Sequence, residues 1–530
     1  MPMTWRRCLA ALLIAGIAPV APLRAADDAD ASPLQAQFDI LQYRIEGNTA
    51  LPAIAVERAV TPYLGPRRTA EDVDHAARAL ERAYQNAGFL TIVVGVPEQK
   101  VDDGVVILEV TEGAVNRLSV KGTRNTSSED LRRDIPSVAE GTVPYFPQVQ
   151  DELARLNRSG DRKVTPVLKS APVAGFVDID LKVEDSVPVH GSLELNNRYI
   201  ANTEPLRLAG SVRYDNLWQR GHGFGVSFLT SPQDTSQVRV LSGSYTLPGP
   251  AEGSIVALYG TRSFTDIITS QTLGVVGRGN VVGGRYIVPL PPRGPLSQAF
   301  TLGADYKDFS ESTSLGSGNL QPPISYVPLT AQYTLRHAGR RGTTSGTIGA
   351  TFGVRDFLGN SEQEFLARQY RARANFFAVR ADVQREQQLP KGWSVLARAI
   401  GQISSGPLLS TEQFFASGAD VVRSYLEGEV LGDEAVATKF EARTPHLGAK
   451  LGSLLDDWTG LVFVDAAQVR VHEPLVPTPA RTGISSAGIG LRARGDRGFA
   501  ASVDLAWPFA STRHTSAGNP RLQFRLAYDF

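Results

Sequence analysis

The segment "DVVRSYLEGEV", residues 420–430, contains one arginine, Arg423, between two valines and a tyrosine. It belongs to a longer stretch, 406–434, which is flanked by strand-like sequence and is less polar than a loop in water should be. Such a segment is expected to fold back against the protein. An arginine carried into that environment needs an anion, and a carboxylate can accept two of its N–H groups at once.

The segment "GLVFVDAAQV" supplies a candidate partner. Because side chains alternate along a strand, Val462 and Val464 belong to one apolar face, whereas Phe463 and Asp465 point to the other. An apolar strand with one inward aspartate, close to one inserted arginine, predicts an ion pair that locks the loop in place. Glu441, on the neighbouring strand, is the alternative partner.

No pattern in the chain predicts catalysis. The sequence has no G-x-S-x-G elbow, no H-E-x-x-H pair and no cluster among its seven histidines. His75, on a predicted helix, has no second ligand four residues later, so we interpret it as a surface or packing residue. The 54 basic and 54 acidic residues cancel, which disfavours a nucleic-acid partner. We therefore expect a protein that is not an enzyme and has no catalytic residue, metal ligand or cofactor.

Residues 1–26 have the pattern of a secretory signal peptide. Two arginines precede an apolar run, 9–23, and a small-residue cleavage site follows it. The only cysteine, Cys8, lies before that run, so the mature chain would contain no thiol and no disulfide. Residues 27–37 would form a short N-terminal segment. No later run of 18 apolar residues occurs, which excludes a helical membrane protein.

Residues 38–114 and 115–187 repeat one pattern of strands and helices. In the first, a strand and a turn at Gly47 precede the amphipathic helix "TAEDVDHAARALERAYQNAGFL", which begins with a Thr-x-x-Asp capping box, and two strands follow. In the second, Gly122 takes the place of Gly47, and helical segments are followed by alternating strands. We predict two α+β modules with the order β-α-α-β-β.

From residue 188 to residue 530 the helical periodicity disappears. Segments of about ten residues alternate apolar with polar side chains, as in the terminal "RLQFRLAYDF". A soluble β-sandwich also alternates, but charged faces opposite apolar ones and an aromatic last residue favour a transmembrane antiparallel β-barrel of about 16 strands. Tyr528 and Phe530 would then form a C-terminal assembly signal, with Phe530 facing lipid.

The connections between these segments predict an orientation. Four on one side are long, at 310–325, 355–369, 406–434 and 470–484, whereas those on the other side contain the short "PGPAE", "PLPPRG" and "QLPKG". Long outer loops and short periplasmic turns are usual for outer-membrane barrels. With the modules in the periplasm, 406–434 becomes the sixth outer loop, inserted into the lumen.

The leader, the two modules, the barrel, "VRSY" in the sixth outer loop and "FVDAA" two strands later together resemble a TpsB transporter. That family is the outer-membrane half of two-partner secretion and includes the haemolysin secretion/activation proteins of FhaC, ShlB and HecB type. The resemblance covers essentially the whole mature chain, and 161–198 is particularly similar to the family's second POTRA module and first barrel strand. It implies that 38–114 and 115–187 are POTRA domains.

The resemblance also implies a site. The family's loop motif, usually V-R-G-Y, and its F-x-D strand motif fall on Val422, Arg423, Ser424 and Tyr425, and on Phe463 and Asp465. It implies that Arg423 contacts Asp465. Ser424 replaces the usual glycine, which is a local change. Many members also carry an N-terminal plug helix, but the dozen residues after the cleavage site would span only about 18 Å as a helix, so we predict that the plug is absent or degenerate.

The function implied by the resemblance is export. A large TpsA-type exoprotein would be recognised in the periplasm by the POTRA domains and exported unfolded through the barrel without nucleotide. The protein would reside in the outer membrane of a Gram-negative bacterium, in contact with lipid and, during biogenesis, with the barrel-assembly machinery. The alternative is a POTRA-barrel insertase that assists outer-membrane protein assembly. A passive porin would have no use for two periplasmic modules.

Overall fold

The structure is a computed structural model that describes residues 37–264, 277–310, 312–313, 320–358, 360–448, 457–495 and 498–530. The predicted signal peptide, nearly all of the segment 27–37 and the question of a plug helix lie outside these residues. The chain divides into two compact units. The first unit contains the described chain as far as Ser119, together with Ile135–Glu152 and Pro166–Asp180. The second unit contains Val120–Asp134, Leu153–Thr165 and Leu181–Phe530.

The first module contains a small three-stranded sheet with a helical layer. Its elements are β1 (Phe38–Ile40), β2 (Gln42–Glu46), α1 (Ala53–Val60), a 3₁₀ turn (Thr61–Tyr63), β3 (Gly65–Arg68), α2 (Ala70–Asn86), β4 (Ile92–Gly95) and β5 (Val105–Glu112). The sheet has the order β2-β5-β4, and β1 pairs with β3 in a separate two-stranded ribbon. That ribbon was not predicted.

Helix α2 forms as its sequence predicts. The Thr69 side chain accepts a hydrogen bond from the backbone of Asp72, and the Asp72 carboxylate accepts one from the backbone of Thr69, which completes the capping box. Val73, Ala76 and Leu80 lie on its buried face and join the core of the module. The chain leaves the helix at Gly88, whose φ of +100° suits glycine.

The second module repeats this architecture. Its elements are β6 (Ala114–Lys121), α3 (Ser128–Arg133), a 3₁₀ turn (Pro136–Val138), α4 (Phe146–Leu156), β7 (Arg162–Ser170) and β8 (Phe176–Asp185). The sheet has the order β6-β8-β7. The helical segments and the following strands that were predicted for this module are present.

The repeat extends to the glycine turn. A side chain at Gly47 would overlap the carbonyl oxygen of Val110, and one at Gly122 would overlap that of Val183, so both turns approach a strand too closely for any other residue. A carboxylate then closes the turn. Asp185 accepts hydrogen bonds from three successive backbone N–H groups, at 124–126. Burial alone would raise the pKa of Asp185, but these N–H groups lower it below its ordinary value.

The remaining chain forms a closed antiparallel barrel. The strands of this part of the chain are β9 (Val189–Asn196), β10 (Arg207–Leu217), β11 (His222–Thr230), β12 (Arg239–Pro248), β13 (Ile255–Ser263), β14 (Gly279–Arg293), β15 (Leu296–Phe309), β16 (Ser312–Thr313), β17 (Leu320–Gln321), β18 (Ile324–Tyr326), β19 (Pro328–Gly339), β20 (Gly342–Gly353), β21 (Phe377–Gln388), β22 (Ser394–Ser404), β23 (Phe414–Phe415), β24 (Leu431–Gly432), β25 (Glu434–Arg443), β26 (Asp457–Arg470), β27 (Arg481–Arg494), β28 (Phe499–Pro508) and β29 (Arg521–Asp529). Two pairs, β16–β17 and β23–β24, form short hairpins outside the barrel wall. Since β18 and β19 both pair with β15, they are two parts of one wall strand. The described residues therefore form a barrel of sixteen strands, which confirms the predicted fold class.

The alternation along the strands is as predicted. Val462 and Val464 are more than half exposed on the outside of the barrel, whereas Phe463 and Asp465 are buried inside it. Val327 is two residues from the exposed Leu329 but is buried at the break between β18 and β19. One connection differs from prediction. The "PLPPRG" segment, expected to be a turn, lies mostly in β14, because β14 continues to Arg293 and the turn is only two residues long.

The long connections lie at one end of the barrel, which we call the long-connection end. They include 354–376, which contains the helix α5 (Glu362–Arg368), as well as 405–433 and 471–480. The described turns at the other end are shorter, such as the one at 389–393. No helix among the described residues is both long enough and apolar enough to cross a membrane.

Candidate functional site: the docked loop 405–433

The connection between β22 and β25, residues 405–433, is packed inside the barrel; we call it the docked loop. Within it, Phe414 and Phe415 form a short hairpin with residues 431–432. Its apolar residues form one cluster with the inner faces of the wall strands: Phe414, Ala416, Val421, Val422, Tyr425 and Val430 with Ile400, Ala437, Ala467, Val469 and Ile484. The loop is therefore buried, as its composition predicts.

The central polar contact of the loop joins Arg423 to Asp465. Nε of Arg423 donates to Oδ2 of Asp465 at 2.6 Å, and Nη2 donates to Oδ1 at 2.8 Å. The backbone N–H of Arg423 also donates to Oδ2, at 3.3 Å. The Arg423 side chain is 1% exposed and that of Asp465 is 0% exposed. The pair is thus bidentate and removed from water, the geometry in which such a pair is strongest.

Two further carboxylates and one ring complete the surroundings of Arg423. Its Nη1 lies 2.9 Å from Glu441 Oε1 and 3.9 Å from Asp504 Oδ2. The ring centroid of Phe463 lies 3.4 Å from its Cζ, so the guanidinium stacks on the aromatic face. Both carboxylates considered from the sequence, Asp465 and Glu441, therefore contact Arg423. Asp504 was not predicted, because its position opposite the loop depends on the barrel register.

The neighbours of Arg423 in the loop have different environments. Val422 is fully buried in the apolar cluster. Ser424 has a φ of +81°, a region that glycine adopts freely, and its buried hydroxyl has no partner among the described residues. The hydroxyl of Tyr425 lies 2.9 Å from the carbonyl oxygen of Ala510 and 3.1 Å from that of Ser485, so it connects the tip of the loop to the connection after β28 and to strand β27.

Glu429 ties the docked loop to the last long connection, 509–520. Its carboxylate accepts hydrogen bonds from the hydroxyl groups of Thr512 and Thr515 and from the backbone N–H of His514. Sequence reasoning missed this contact. A threonine pair in a connection carries no signal of its own, because the acceptor lies 83 residues or more away in the chain.

The base of the loop is held by a separate set of contacts. Glu412 Oε1 accepts from Lys307 Nζ at 2.6 Å and from the Tyr326 hydroxyl at 2.7 Å. The Nε2 group of Gln402, on β22, donates to the carbonyl oxygens of Glu412 and Asp433, at 3.1 Å each. One wall side chain thus holds both ends of the segment that carries Arg423.

The C-terminal residues take part in barrel closure. Strand β29 pairs with β9, and Tyr528 lies opposite Leu193. Phe530 is 58% exposed on the outside, and its ring stacks near that of Tyr528, with centroids 5.9 Å apart. The predicted outward orientation of Phe530 is thus what the structure has, whereas its role as an assembly signal stays a prediction.

One group in the barrel unit has ligand types that could hold a metal ion. Ligand atoms of Asp161, His190 and Asp215 lie within 4.8 Å of one another. His190 Nε2 is 2.8 Å from Asp161, and Arg213 Nε is 2.9 Å from Asp215. Because Arg213 already compensates Asp215 and would repel a cation, we interpret the group as an ion-pair network.

Two family models match the chain. The POTRA domain of ShlB type matches residues 38–113, and the haemolysin secretion/activation protein ShlB/FhaC/HecB matches residues 325–493, which include the docked loop and Asp465. The outer membrane transporter CdiB of Dickeya dadantii is 21% identical over 508 residues, which cover 92% of this chain and 85% of that protein. Both models describe domains of TpsB transporters, so the matched segments have the POTRA and barrel domains of that family.

Solved structures agree with this TpsB fold. CdiB from Escherichia coli superposes with a TM-score of 0.63 at 18% identity, over 96% of this chain and 94% of that one. BamA from Haemophilus ducreyi, lacking its POTRA domains 1–3, superposes with a TM-score of 0.56 at 15% identity, over 93% and 100% of the two chains. The protein is thus an outer-membrane transporter whose POTRA domains are periplasmic, whereas the predicted outward orientation of the long connections stays a prediction.

Proposed function

We propose that this TpsB protein recognises one large TpsA-type partner in the periplasm and exports it unfolded through the barrel to the cell surface, without nucleotide. The docked loop is the observation that carries this proposal. It fills the lumen near Asp465, yet it joins the wall mainly through side-chain contacts. Its displacement would therefore leave the hydrogen-bond ladder of the sixteen strands intact.

The polar lining of the lumen supports the passage of an unfolded chain. Wall strands carry inward ion pairs such as Arg285 with Asp305 at 2.7 Å and Arg398 with Asp382 at 2.6 Å. An unfolded chain exposes backbone N–H and C=O groups that must stay hydrated or hydrogen-bonded. A polar, wet lumen meets that requirement, whereas an apolar channel would not.

Recognition is assigned to a groove in the N-terminal unit. It has a volume of about 510 Å³ and is lined by residues of β4, β7 and the start of β8. Strands β4 and β7 are edge strands of their two sheets, so each leaves backbone groups free to pair with an added strand. Val93, Leu168 and Phe176 line the groove and are 41–58% exposed, which provides apolar contacts for alternate side chains of that strand.

Export of the TpsA-type partner tests the proposal. The double substitution Val93→Asp with Leu168→Asp should lower the amount of partner outside the cell while the amount of heat-modifiable barrel stays constant. Ile54→Asp is the matched control, because Ile54 is 68% exposed on α1 and does not line the groove. Deletion of 38–113 should abolish export. Normal export after that deletion would refute recognition by this module.

The insertase alternative predicts a different outcome. If the protein assembles other barrels, its removal should lower the levels of several outer-membrane proteins, with no dependence on one partner gene. Loss of a single exported protein with an unchanged outer-membrane profile would support export instead.

A further inference from the structure

The side chains that surround the Arg423 guanidinium belong to the barrel strands and not to the docked loop. Asp465 and Phe463 lie on β26, Glu441 lies on β25 and Asp504 lies on β28. We call these four residues the wall cradle. Arg423 is the occupant contributed by the docked loop, so displacement of the loop would leave the cradle assembled and vacant.

The charges of the vacant cradle would not be balanced. Glu441 would keep Arg443, whose Nη2 lies 2.7 Å away, and Asp504 would keep Arg492, also at 2.7 Å. Asp465, in contrast, has Arg423 as its ion-pair partner in the described part of the chain. Departure of the loop would therefore leave Asp465 on the inner wall without its hydrogen-bonded ion-pair partner.

A second observation points to a ligand at the same place. The hydroxyl of Ser486, a residue that is 0% exposed, has no hydrogen-bond partner among the described residues. Ser486 lies directly opposite Asp465 in the pairing of β26 with β27 and so belongs to the same inward face. An unused hydrogen-bonding group thus lies next to the cradle, on the strand that pairs with the strand of Asp465.

The Phe463 ring of the wall cradle favours a planar cation. The Phe463 ring occupies the space that a side chain at Gly488, on β27, would fill. Glycine at this position therefore lets the ring lie flat against the wall, where it offers its face to the lumen. A planar guanidinium can stack on such a face while it donates two parallel hydrogen bonds to a carboxylate, whereas an ammonium group cannot do both.

We propose that the wall cradle is a guanidinium-binding site in its own right, which takes arginine side chains of the exported polypeptide while Arg423 is displaced. The inference rests on the proposed export function for its natural ligand, but the site itself can be tested without a partner. Occupation by a passing arginine competes with the return of Arg423, and so keeps the loop out while chain is still moving through the lumen.

Lys439 is the internal competitor for the vacant cradle. Its Nζ donates to the carbonyl oxygen of Ala419 in the docked loop at 3.0 Å, so the contact is lost when the loop leaves. Lys439 lies opposite Asp465 in the pairing of β25 with β26. Its ammonium group lacks the planar fork of guanidinium, so it should weaken guanidinium binding without abolishing it.

Single-channel recording of the Arg423→Ala protein in planar bilayers tests the site. Methylguanidinium chloride at non-denaturing concentration should give a saturable partial block, about tenfold stronger than methylammonium chloride at equal ionic strength. Asp465→Asn added to Arg423→Ala should remove this preference, and Lys439→Met should increase it. An unstructured peptide with one arginine should block for longer than the same peptide with lysine. Arg423→Gln, of closer volume, replaces the alanine variant if that variant does not assemble.

The outcomes separate the two proposals. Equal block by methylguanidinium and methylammonium, or a preference that survives Asp465→Asn, would overturn the guanidinium site even if export is normal. Selective block that needs Asp465, in a protein that exports no partner, would support the site while the proposed function fails. Selective binding of methylguanidinium without any difference between the two peptides would overturn the role of arginine in the exported chain.

Discussion

Phe530 and Gly191 close the barrel as a matched pair. Each donates its backbone N–H to the carbonyl oxygen of the other, at 2.9 Å in both directions. The Phe530 ring also occupies the space that a side chain at Gly191 would need. The last residue of the chain therefore fits against the first barrel strand only because position 191 has no side chain.

Gly191→Ala should lower the amount of assembled barrel, because the added methyl group displaces the Phe530 ring from the closing seam. Phe530→Ser should have the same effect by removing the ring. Both amounts can be measured as the heat-modifiable fraction on gels. Gly243→Ala is the matched control, since Gly243 lies in β12 with open space where a Cβ would be added. Unchanged assembly with reduced export per barrel would contradict a role of this pair in assembly.

Arg423→Ala and Asp465→Ala should each leave the barrel assembled and increase channel opening while impairing export. A buried pair that loses one partner costs about 3–5 kcal/mol, and the burial of both side chains places this pair near that range. The double variant should be little worse than either single one, because each change already breaks the same contact. Glu441→Ala should have a smaller effect, since Asp465 holds two of the guanidinium nitrogens.

Arg285→Ala is the control for the single and double variants of Arg423 and Asp465. It removes a bidentate pair with Asp305 of similar geometry, but both residues lie on wall strands β14 and β15. It should not change opening in planar bilayers. Additive losses in the Arg423 and Asp465 double variant would show that the two residues act independently.

Ser424→Gly should stabilise the docked loop. A non-glycine residue with a φ of +81° is strained by about 1 kcal/mol, and the change also removes a buried hydroxyl without a partner. The open fraction in planar bilayers should fall roughly fivefold. Ser417→Gly should have the opposite effect, because the Ser417 hydroxyl accepts a hydrogen bond from the backbone of Val430 at 2.9 Å. A rise in opening for Ser424→Gly would refute the strain argument.

Gly122→Ala should destabilise the second POTRA module more than Gly141→Ala does. Both glycines have a positive φ, +92° and +84°, so both changes cost about 1 kcal/mol of backbone strain. At Gly122 the new methyl group also overlaps the Val183 carbonyl, whereas Gly141 has open space. The resistance of the intact protein to limited proteolysis across a temperature series measures the difference. Equal losses of proteolytic resistance in the two variants would mean that backbone strain alone accounts for the destabilisation.

The sequence predicted those features that depend on local periodicity. The capping box at Thr69, the inward position of Asp465 and the outward position of Val464 all follow from spacings of two or three residues. The fold class follows from the same alternation repeated along the barrel. The ribbon of β1 with β3 escaped prediction because strands of three or four residues leave too short a pattern.

Contacts that depend on barrel register could not be predicted in the same way. The approach of Asp504 to Arg423 requires the pairing of four successive strands to be known. The contacts of Glu412 with Lys307 and of Glu429 with Thr515 join connections far apart in sequence. Glu441 was identified as a rival of Asp465, whereas the guanidinium has enough donors to bind both.

The two hydrogen bonds of Gln402 also determine how the loop can return after it has moved. One amide, that of Gln402, holds the carbonyl groups of both Glu412 and Asp433. The two ends of the intervening segment therefore stay close together while the segment itself moves. Most of the chain entropy of closing a loop is therefore lost before the segment moves. Arg423 stays tethered near the wall cradle at a high effective concentration. The docked loop therefore returns in a first-order step, whose rate does not depend on the amount of protein in the membrane.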